Sequence, residues 1–254
     1  MPNDTPAATQ LKAYQNREIE HLLTLTSLKG KTIVEIGSDT PLAVAQFCIS
    51  QGAEKVFAVN PFLKNKKQND ANIIVINDVF ENVSILPNSI DIIFGIACLE
   101  HIHNFDSLID KIKELLTPSG FYYLHGDPFW TSPRGHHVWI QNPNGTMRYH
   151  FNLNNPVASW SHLVFDKKQM YEDLKKKMDP NDAFLCINEI YDSKSINRIS
   201  PQNCIQKFQT SNLHYECTRT ITEQEGNFFF NIARNTFYEE DLRTVGMSIY
   251  GTPA

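Results

Sequence analysis

The chain has 254 residues, 41% of them hydrophobic and 20% charged, with a formal net charge of −5. That length suits one α/β domain with an insertion, and the mildly acidic balance without a basic tract argues against nucleic acid as a partner. No apolar run approaches the ~20 residues that span a bilayer, and Met1 to Gln10 lacks a signal-peptide pattern, so a cytoplasmic protein without membrane contact is expected.

Residues 8–28 read as an amphipathic helix, with Leu11, Tyr14, Ile19, Leu22, Leu23 and Leu25 at its apolar positions. Residues 31–37 then form a β-branched run ending in Glu35 and Gly37, followed by a helix from Leu42 to Ser50. That is a buried parallel strand turning sharply into a helix. Glycine permits the turn and lets a ligand approach the backbone. An acid at this point fits an amine or a ribose hydroxyl better than a phosphate. Strands follow at 55–60, 72–78 and 90–96, the third of these leading into Ala97-Cys98-Leu99-Glu100-His101. A helix with Leu108, Ile109, Ile112, Leu115 and Leu116 on one face closes at Pro118-Ser119-Gly120, and residues 121–125 make a fifth strand. Alternating strands and helices predict a doubly wound parallel sheet with ligands at the strand carboxyl ends.

Residues 128–205 interrupt the sheet. They are rich in Pro, Asn, Trp and His, with one clear helix at Lys167 to Met178, and read as a lid or binding surface. The sheet resumes at 213–219. Five scattered cysteines, Cys48, Cys98, Cys186, Cys204 and Cys217, predict free thiols rather than disulfides or zinc. The clusters at 64–67 and 175–177 read as solvated lysines.

Several ordered motifs carry a resemblance. Glu35-Ile36-Gly37, Asn77-Asp78, Leu86-Pro87-Asn88-Ser89-Ile90-Asp91, Leu99-Glu100-His101 and Leu115-Leu116-Thr117-Pro118-Ser119-Gly120 are similar to those of the class I S-adenosylmethionine-dependent methyltransferases. The match covers residues 10–128 and returns at Phe237 to Pro253. It implies a Rossmann-like, mostly parallel sheet with an antiparallel last strand and an inserted lid after strand five. The implied organisation is a single domain: helical cover at 1–30, cofactor-binding core at 31–127, acceptor-binding insertion at 128–205, and closing strands and helix at 206–254.

The resemblance implies S-adenosylmethionine as cofactor. Gly37 and Ser38 would allow close backbone approach, with Glu35 near the ammonium and Tyr14 closing over the methionine end or simply packing helix to sheet. Asp78 would accept from the adenine amino group, beside Val79, with Ile96 and Ala97 completing the set. Two departures stand out. Asp39 and Pro41 occupy positions where the family repeats glycine, and Asn60 stands where an acid usually meets the ribose diol. An amide bonds a diol more weakly than a carboxylate does.

Residues 125–139 leave strand five and contain two histidines, an arginine and two tryptophans on a Pro/Gly-shaped loop, a poor core and a good site. The Trp-x-Ser-Pro-x-Gly-His-His run, with 160–163 and 196–198, resembles a bacterial branch associated with surface-polysaccharide and secondary biosynthesis. His136, His137 and His101 are the candidate catalytic groups, since a neutral imidazole suits a hydroxyl acceptor. Trp130, Arg134, His162 and Arg198 are the candidate acceptor-binding residues, the arginines suiting an anionic or sugar-linked small molecule. His136, His137, His150, His162 and Asp127 offer donors, but nothing fixes their spacing, so no metal is expected. Two readings follow: an enzyme methylating a small acceptor at oxygen, or a methyltransferase-like scaffold whose cofactor site has decayed through Asp39 and Asn60. Oligomeric state stays open.

Overall fold

The computed structural model describes residues 11–63, 71–152, 154–223 and 227–254. The start of the expected first helix (8–10) and the lysine cluster at 64–67 lie outside these residues. Nine strands are described: β1 (Thr32–Ile36), β2 (Lys55–Val59), β3 (Ile73–Ile76), β4 (Ile90–Gly95), β5 (Leu116–Gly126), β6 (Trp139–Gln141), β7 (Met147–His150), β8 (Leu213–Ile221) and β9 (Thr244–Pro253). Seven form one sheet in the order β3-β2-β1-β4-β5-β9-β8. The pairs from β3 to β5 are parallel, and β9 runs antiparallel between β5 and β8. The chain has a Rossmann-like α/β fold with an antiparallel last strand.

Helices cover both faces, as parallel strands buried on both sides require. On one face α1 (Ala13–Leu25) and α2 (Ala43–Ser50) bury Ile19, Leu22, Val44, Ala45 and Cys48 against the sheet. Leu23 and Leu25 stay 38% exposed, so only part of the expected apolar stripe packs. On the other face α3 (Phe105–Leu115), capped by Asn104 accepting from the Ser107 amide, buries Leu108, Ile109, Ile112 and Leu115. Leu116, expected on this helix, already belongs to β5, and the ladder to β4 is irregular there.

The segment after β5 has its own small core. The β6–β7 hairpin and helices α4 (Ser161–Val164), α5 (Lys167–Leu174) and α6 (Pro180–Ile187) follow in order, and Val138, Val157, Met170, Leu174, Ala183 and Cys186 pack together. α5 ends four residues before the expected Met178, and α6 was not visible in the sequence. Pro201 opens α7 (Pro201–Gln209), inside the expected insertion, yet Cys204, Ile205 and Phe208 join the main core. Beyond β8, α8 (Phe228–Ala233) and α9 (Glu239–Arg243) close the chain, with Phe230, Ala233 and Leu242 around Trp160. The cysteines are all free, and the Lys175–Lys177 run is exposed, with two of its amines paired to Glu172 and Asp173. Among the described residues no helix is long and apolar enough to cross a membrane.

Candidate active site

β1 delivers Glu35 to the carboxyl edge of the sheet. Gly37 follows with φ +79°, a conformation that favours glycine, and reverses the chain into the loop before α2. Glu35 is 5% exposed and accepts from the Ser38 hydroxyl at 2.6 Å. Burial pushes its carboxyl up to about 8, against the Ser38 hydrogen bond and helped by Asp39. Tyr14 on α1 lies over this edge, 38% exposed, its hydroxyl pushed up by burial and by Asp39, Glu100 and Glu35. The helix thus covers the strand end.

The loop amides are less available than the sequence suggested. Gly37 and Ser38 both donate to the Val59 carbonyl, at 2.8 and 3.2 Å. Asp39 takes the start of α2, accepting from the Ala43 amide at 3.0 Å and from the Gln15 side chain at 3.2 Å. Asn60 donates to the Ser38 carbonyl at 2.9 Å and accepts from the Phe62 amide at 2.8 Å. Its amide ties two loops together instead of waiting for a ribose. Asp78, after β3, accepts from the Val79 amide at 2.7 Å and from Asn82 at 3.0 Å through one oxygen, leaving the other. Val79 beside it is 41% exposed, an open apolar surface of the kind an aromatic ring covers.

After β4, Ala97 takes a left-handed conformation (φ +52°) and Leu99–His101 makes a 3-10 turn. A distant segment clamps this turn. The Asn197 amide donates to the Glu100 carbonyl at 2.8 Å, and its side chain donates to the Leu99 and Ile102 carbonyls at 2.6 and 2.7 Å. Glu100 is 3% exposed, and burial pushes its carboxyl well above the usual range despite nearby amides of Glu100 and Asp127. His101, with a half-exposed side chain, meets His137 edge to face, with ring centroids 5.7 Å apart. Burial lowers the pKa of His101, and pushes His137 down to about 3 with help from His101. The His137 ring stays neutral well into acid.

His136 does not join them. It is fully buried, accepts from the Val138 amide at 3.1 Å through Nδ1, and turns its ring to His162. His162 is also buried, bonding the Trp130 carbonyl at 2.8 Å, and Trp130 packs on the His162 ring. Arg198 lies over Trp130, its guanidinium donating to the Ile190 and Ser193 carbonyls at 3.0 and 2.9 Å. These donors close off a π-helical turn at Asn188–Asp192. His136 and His162 therefore lie buried inside the insertion, with half-buried Trp130 and Arg198 packed beside them. Loop composition does not report this burial. Arg134 remains exposed, donating to Asn152 at 3.0 Å.

The sequence also missed a buried polar network on α1. Glu18 accepts from the Tyr123 hydroxyl at 2.7 Å and from Ser248 at 3.1 Å, pairs with Arg17, and lies 3.6 Å from His125 Nε2. Burial pushes His125 down to about 4, against the pull of Glu18. On its other side His125 Nδ1 accepts from the Ala97 amide at 3.3 Å, so this residue links the β4 turn to α1. A cavity of about 190 Å³ opens beside it, lined by Arg17, Glu18, His21, His125, Arg219 and Ser248. The signal was present: Glu18 follows Tyr14 and precedes Leu22 at helical spacing, an acid on the face that packs.

Comparison with known proteins agrees with this geometry. Residues 35–124 match the family described as Methyltransferase domain. The fold is similar to a candidate S-adenosylmethionine-dependent methyltransferase from Listeria monocytogenes, at 14% identity and a TM-score of 0.55, over 95% of this chain and 99% of that one. A second, an S-adenosylmethionine-dependent methyltransferase from Mesorhizobium loti, shares 12% identity with a TM-score of 0.52, over 92% of this chain and 96% of that one. A geranyl diphosphate methyltransferase solved with S-adenosylmethionine shares 11% identity with a TM-score of 0.55, over 94% and 85%. No curated protein matches the chain by sequence. Residues 35–124 thus match a methyltransferase domain, and the fold of the chain is the one shared by these S-adenosylmethionine-dependent methyltransferases.

Proposed function

We propose that the enzyme methylates a small hydroxylated or anionic acceptor at oxygen, at the carboxyl edge of β4 and β5. The observation that carries this reading is the pairing of His101 with His137 next to buried Glu100, where the insertion meets the turn after β4. S-adenosylmethionine, when bound, supplies a methyl group activated by a sulfonium.

The residues present fit that cofactor. Glu35 is a buried carboxylate whose hydrogen-bond partner is a hydroxyl, so an ammonium would relieve its desolvation. Asp39 and Tyr14 flank the same place. Asp78 keeps an oxygen for an adenine amino group, and Val79 offers the ring an apolar face. Half-buried Ile96 and Ala97, whose amide donates to His125, follow β4 at the same sheet edge. The amides of Gly37 and Ser38 and the side chain of Asn60 are already bonded, which predicts a moderate grip on the cofactor.

The acceptor side is built for orientation. A ring with a pKa near 3 is a weak proton acceptor at neutral pH, so His137 contributes little as a general base. It and His101 instead hold an acceptor oxygen in line with the methyl group, the main requirement when the leaving group departs readily. Arg134 is the exposed cation of the loop, and Arg17 and Arg219 line the adjoining cavity, which favours an acceptor bearing phosphate or carboxylate. The Trp-x-Ser-Pro-x-Gly-His-His run supports an acceptor from surface-polysaccharide or secondary biosynthesis.

The test is a screen of sugars, sugar phosphates and hydroxy acids with methyl-labelled cofactor. Transfer to an oxygen, located by NMR, is the expected result. Transfer only to nitrogen or carbon acceptors would overturn the reading.

A further inference from the structure

Two histidines and a buried carboxylate converge where the insertion meets β4. The candidate ligand atoms of Glu100, His101 and His137 all lie within 4.8 Å of one another. Each histidine presents Nδ1 to a backbone carbonyl, His101 to Ser195 at 2.5 Å and His137 to Gly135 at 3.2 Å. A carbonyl can only accept, so both rings carry their proton on Nδ1 and keep a lone pair on Nε2. That is the tautomer of a metal-binding imidazole, and a backbone carbonyl on the second nitrogen is its usual outer support. Nε2 of His101 faces Glu100, 3.9 Å from Oε1.

Glu100 gives the second, independent sign. It is 3% exposed, and its Oε2 has no hydrogen-bond partner among the described residues. A buried carboxylate left short of donors is costly unless a cation completes it. The 3.9 Å gap to His101 is too long for a direct hydrogen bond. Donors ~2.1 Å from a common ion stand ~3–3.5 Å apart, so binding requires a contraction of about 1 Å. Half-exposed His101 can move, while Asn197 holds the turn beneath it. The backbone of His137 is itself in the left-handed region, φ +48°, a conformation retained where surroundings fix a side chain in place.

We propose that Glu100, His101 and His137 bind one divalent transition-metal ion, with open coordination positions toward the acceptor. Two imidazoles and one carboxylate suit Zn²⁺, Mn²⁺, Fe²⁺ or Co²⁺ better than Ca²⁺ or Mg²⁺. The exposed side of His101 leaves room for a water or an acceptor oxygen as a further ligand. That last role rests on the methyltransferase reading above; the metal site itself does not.

The test uses the full chain, stripped with chelator, dialysed and titrated with Co²⁺ while visible d–d bands and heat are recorded. One Co²⁺ per chain is expected. Glu100→Gln, His101→Ala and His137→Gln should each weaken binding by at least ~100-fold, the upper end of what losing even an outer-shell partner costs. His214→Gln, on exposed β8, should leave it unchanged. Circular dichroism identifies variants that fail to fold, and the half-exposed position of His101 makes its replacement the safest. Absence of Co²⁺ binding at about 1 mM, roughly −4 kcal/mol, overturns the proposal. So does binding that survives the Glu100 and His101 replacements. Calorimetry with S-adenosylhomocysteine on the same samples separates the two readings. Cofactor binding without Co²⁺ binding removes the metal alone, and Co²⁺ binding without cofactor binding removes the methyltransferase reading alone.

Discussion

The backbone amide of Asn197 donates to the carbonyl of Glu100 at 2.8 Å, tying the end of the insertion to the turn that carries the site. Its side-chain amide adds bonds to Leu99 and Ile102, so one residue donates to three carbonyls of this turn. Asn197→Ala keeps the backbone bond, takes the side-chain donor from the Ile102 carbonyl and leaves Leu99 only the 3.4 Å bond from the Ile102 amide. A loss of about 1–3 kcal/mol in urea unfolding is expected, with a larger loss in turnover than in cofactor affinity. Unchanged turnover would show that the turn holds its shape without the clamp.

Gly126 constrains the same carboxylate from below. A Cβ there would stand 2.9 Å from Leu99 Cβ, 3.0 Å from Glu100 Oε2 and 3.1 Å from Phe129 Cε2. Gly126→Ala should therefore cost about 1–3 kcal/mol through overpacking and displace Glu100. A denaturation midpoint equal to wild type would mean that Glu100 is free to move aside.

Trp160 anchors the insertion on the closing helices. It is fully buried, with Nε1 donating to the Leu242 carbonyl at 3.0 Å and its ring on Phe230. Trp160→Ala should destabilise by about 3–5 kcal/mol, and any folded fraction should bind cofactor normally. A selective loss of acceptor affinity without loss of stability would contradict this structural role.

Two buried histidines should make stability depend on pH. His125 and His162 are both buried with pKa values pushed down to about 4, by desolvation first, with Arg17 and His21 adding to it at His125 and Glu18 opposing it. The unfolded chain takes up these protons near pH 6.5 and the folded chain only near 4, so the contribution of the two rings is full above about 6.5 and is lost as pH drops toward 4. Buried Glu35 and Glu100, with carboxyls held above their ordinary range, act in the opposite sense and gain stability as pH falls. The comparison with His162→Gln isolates the ring: between pH 6.5 and 4.5 the urea midpoint of the variant should fall less than that of wild type. Equal slopes in the two proteins would mean that His162 protonates in the folded state at its ordinary pKa.

Local pattern made the sheet legible and hid the interior of the insertion. The strands from 32 to 95 each end near a turn residue, so hydrophobic runs alone fix them and their parallel order. α7 was missed because Cys204, Ile205 and Phe208 sit in a polar-looking stretch, and only contact with β8 and α3 makes them core. The site divides the same way. Glu35, Gly37 and Asp78 sit at or just after strands that hydrophobic runs locate, and Tyr14 lies on the first helix. His136 and His137 are adjacent in sequence yet separate in space: the left-handed backbone at 137 turns one ring to His101, while the other faces His162. Glu18 and Asn197 escaped because their partners are remote in sequence, and a lone polar residue on a packed face carries no local signature of what it will meet.

The most direct measurement is calorimetric titration with S-adenosylhomocysteine, on wild type and on Asp78→Ala. A single site of micromolar affinity, roughly −8 kcal/mol, is expected, weakened by about 1–3 kcal/mol in the variant because an adenine donor loses its acceptor. No heat of binding at millimolar cofactor, or equal affinity in both proteins, would contradict a cofactor seated across the carboxyl ends of β1, β3 and β4.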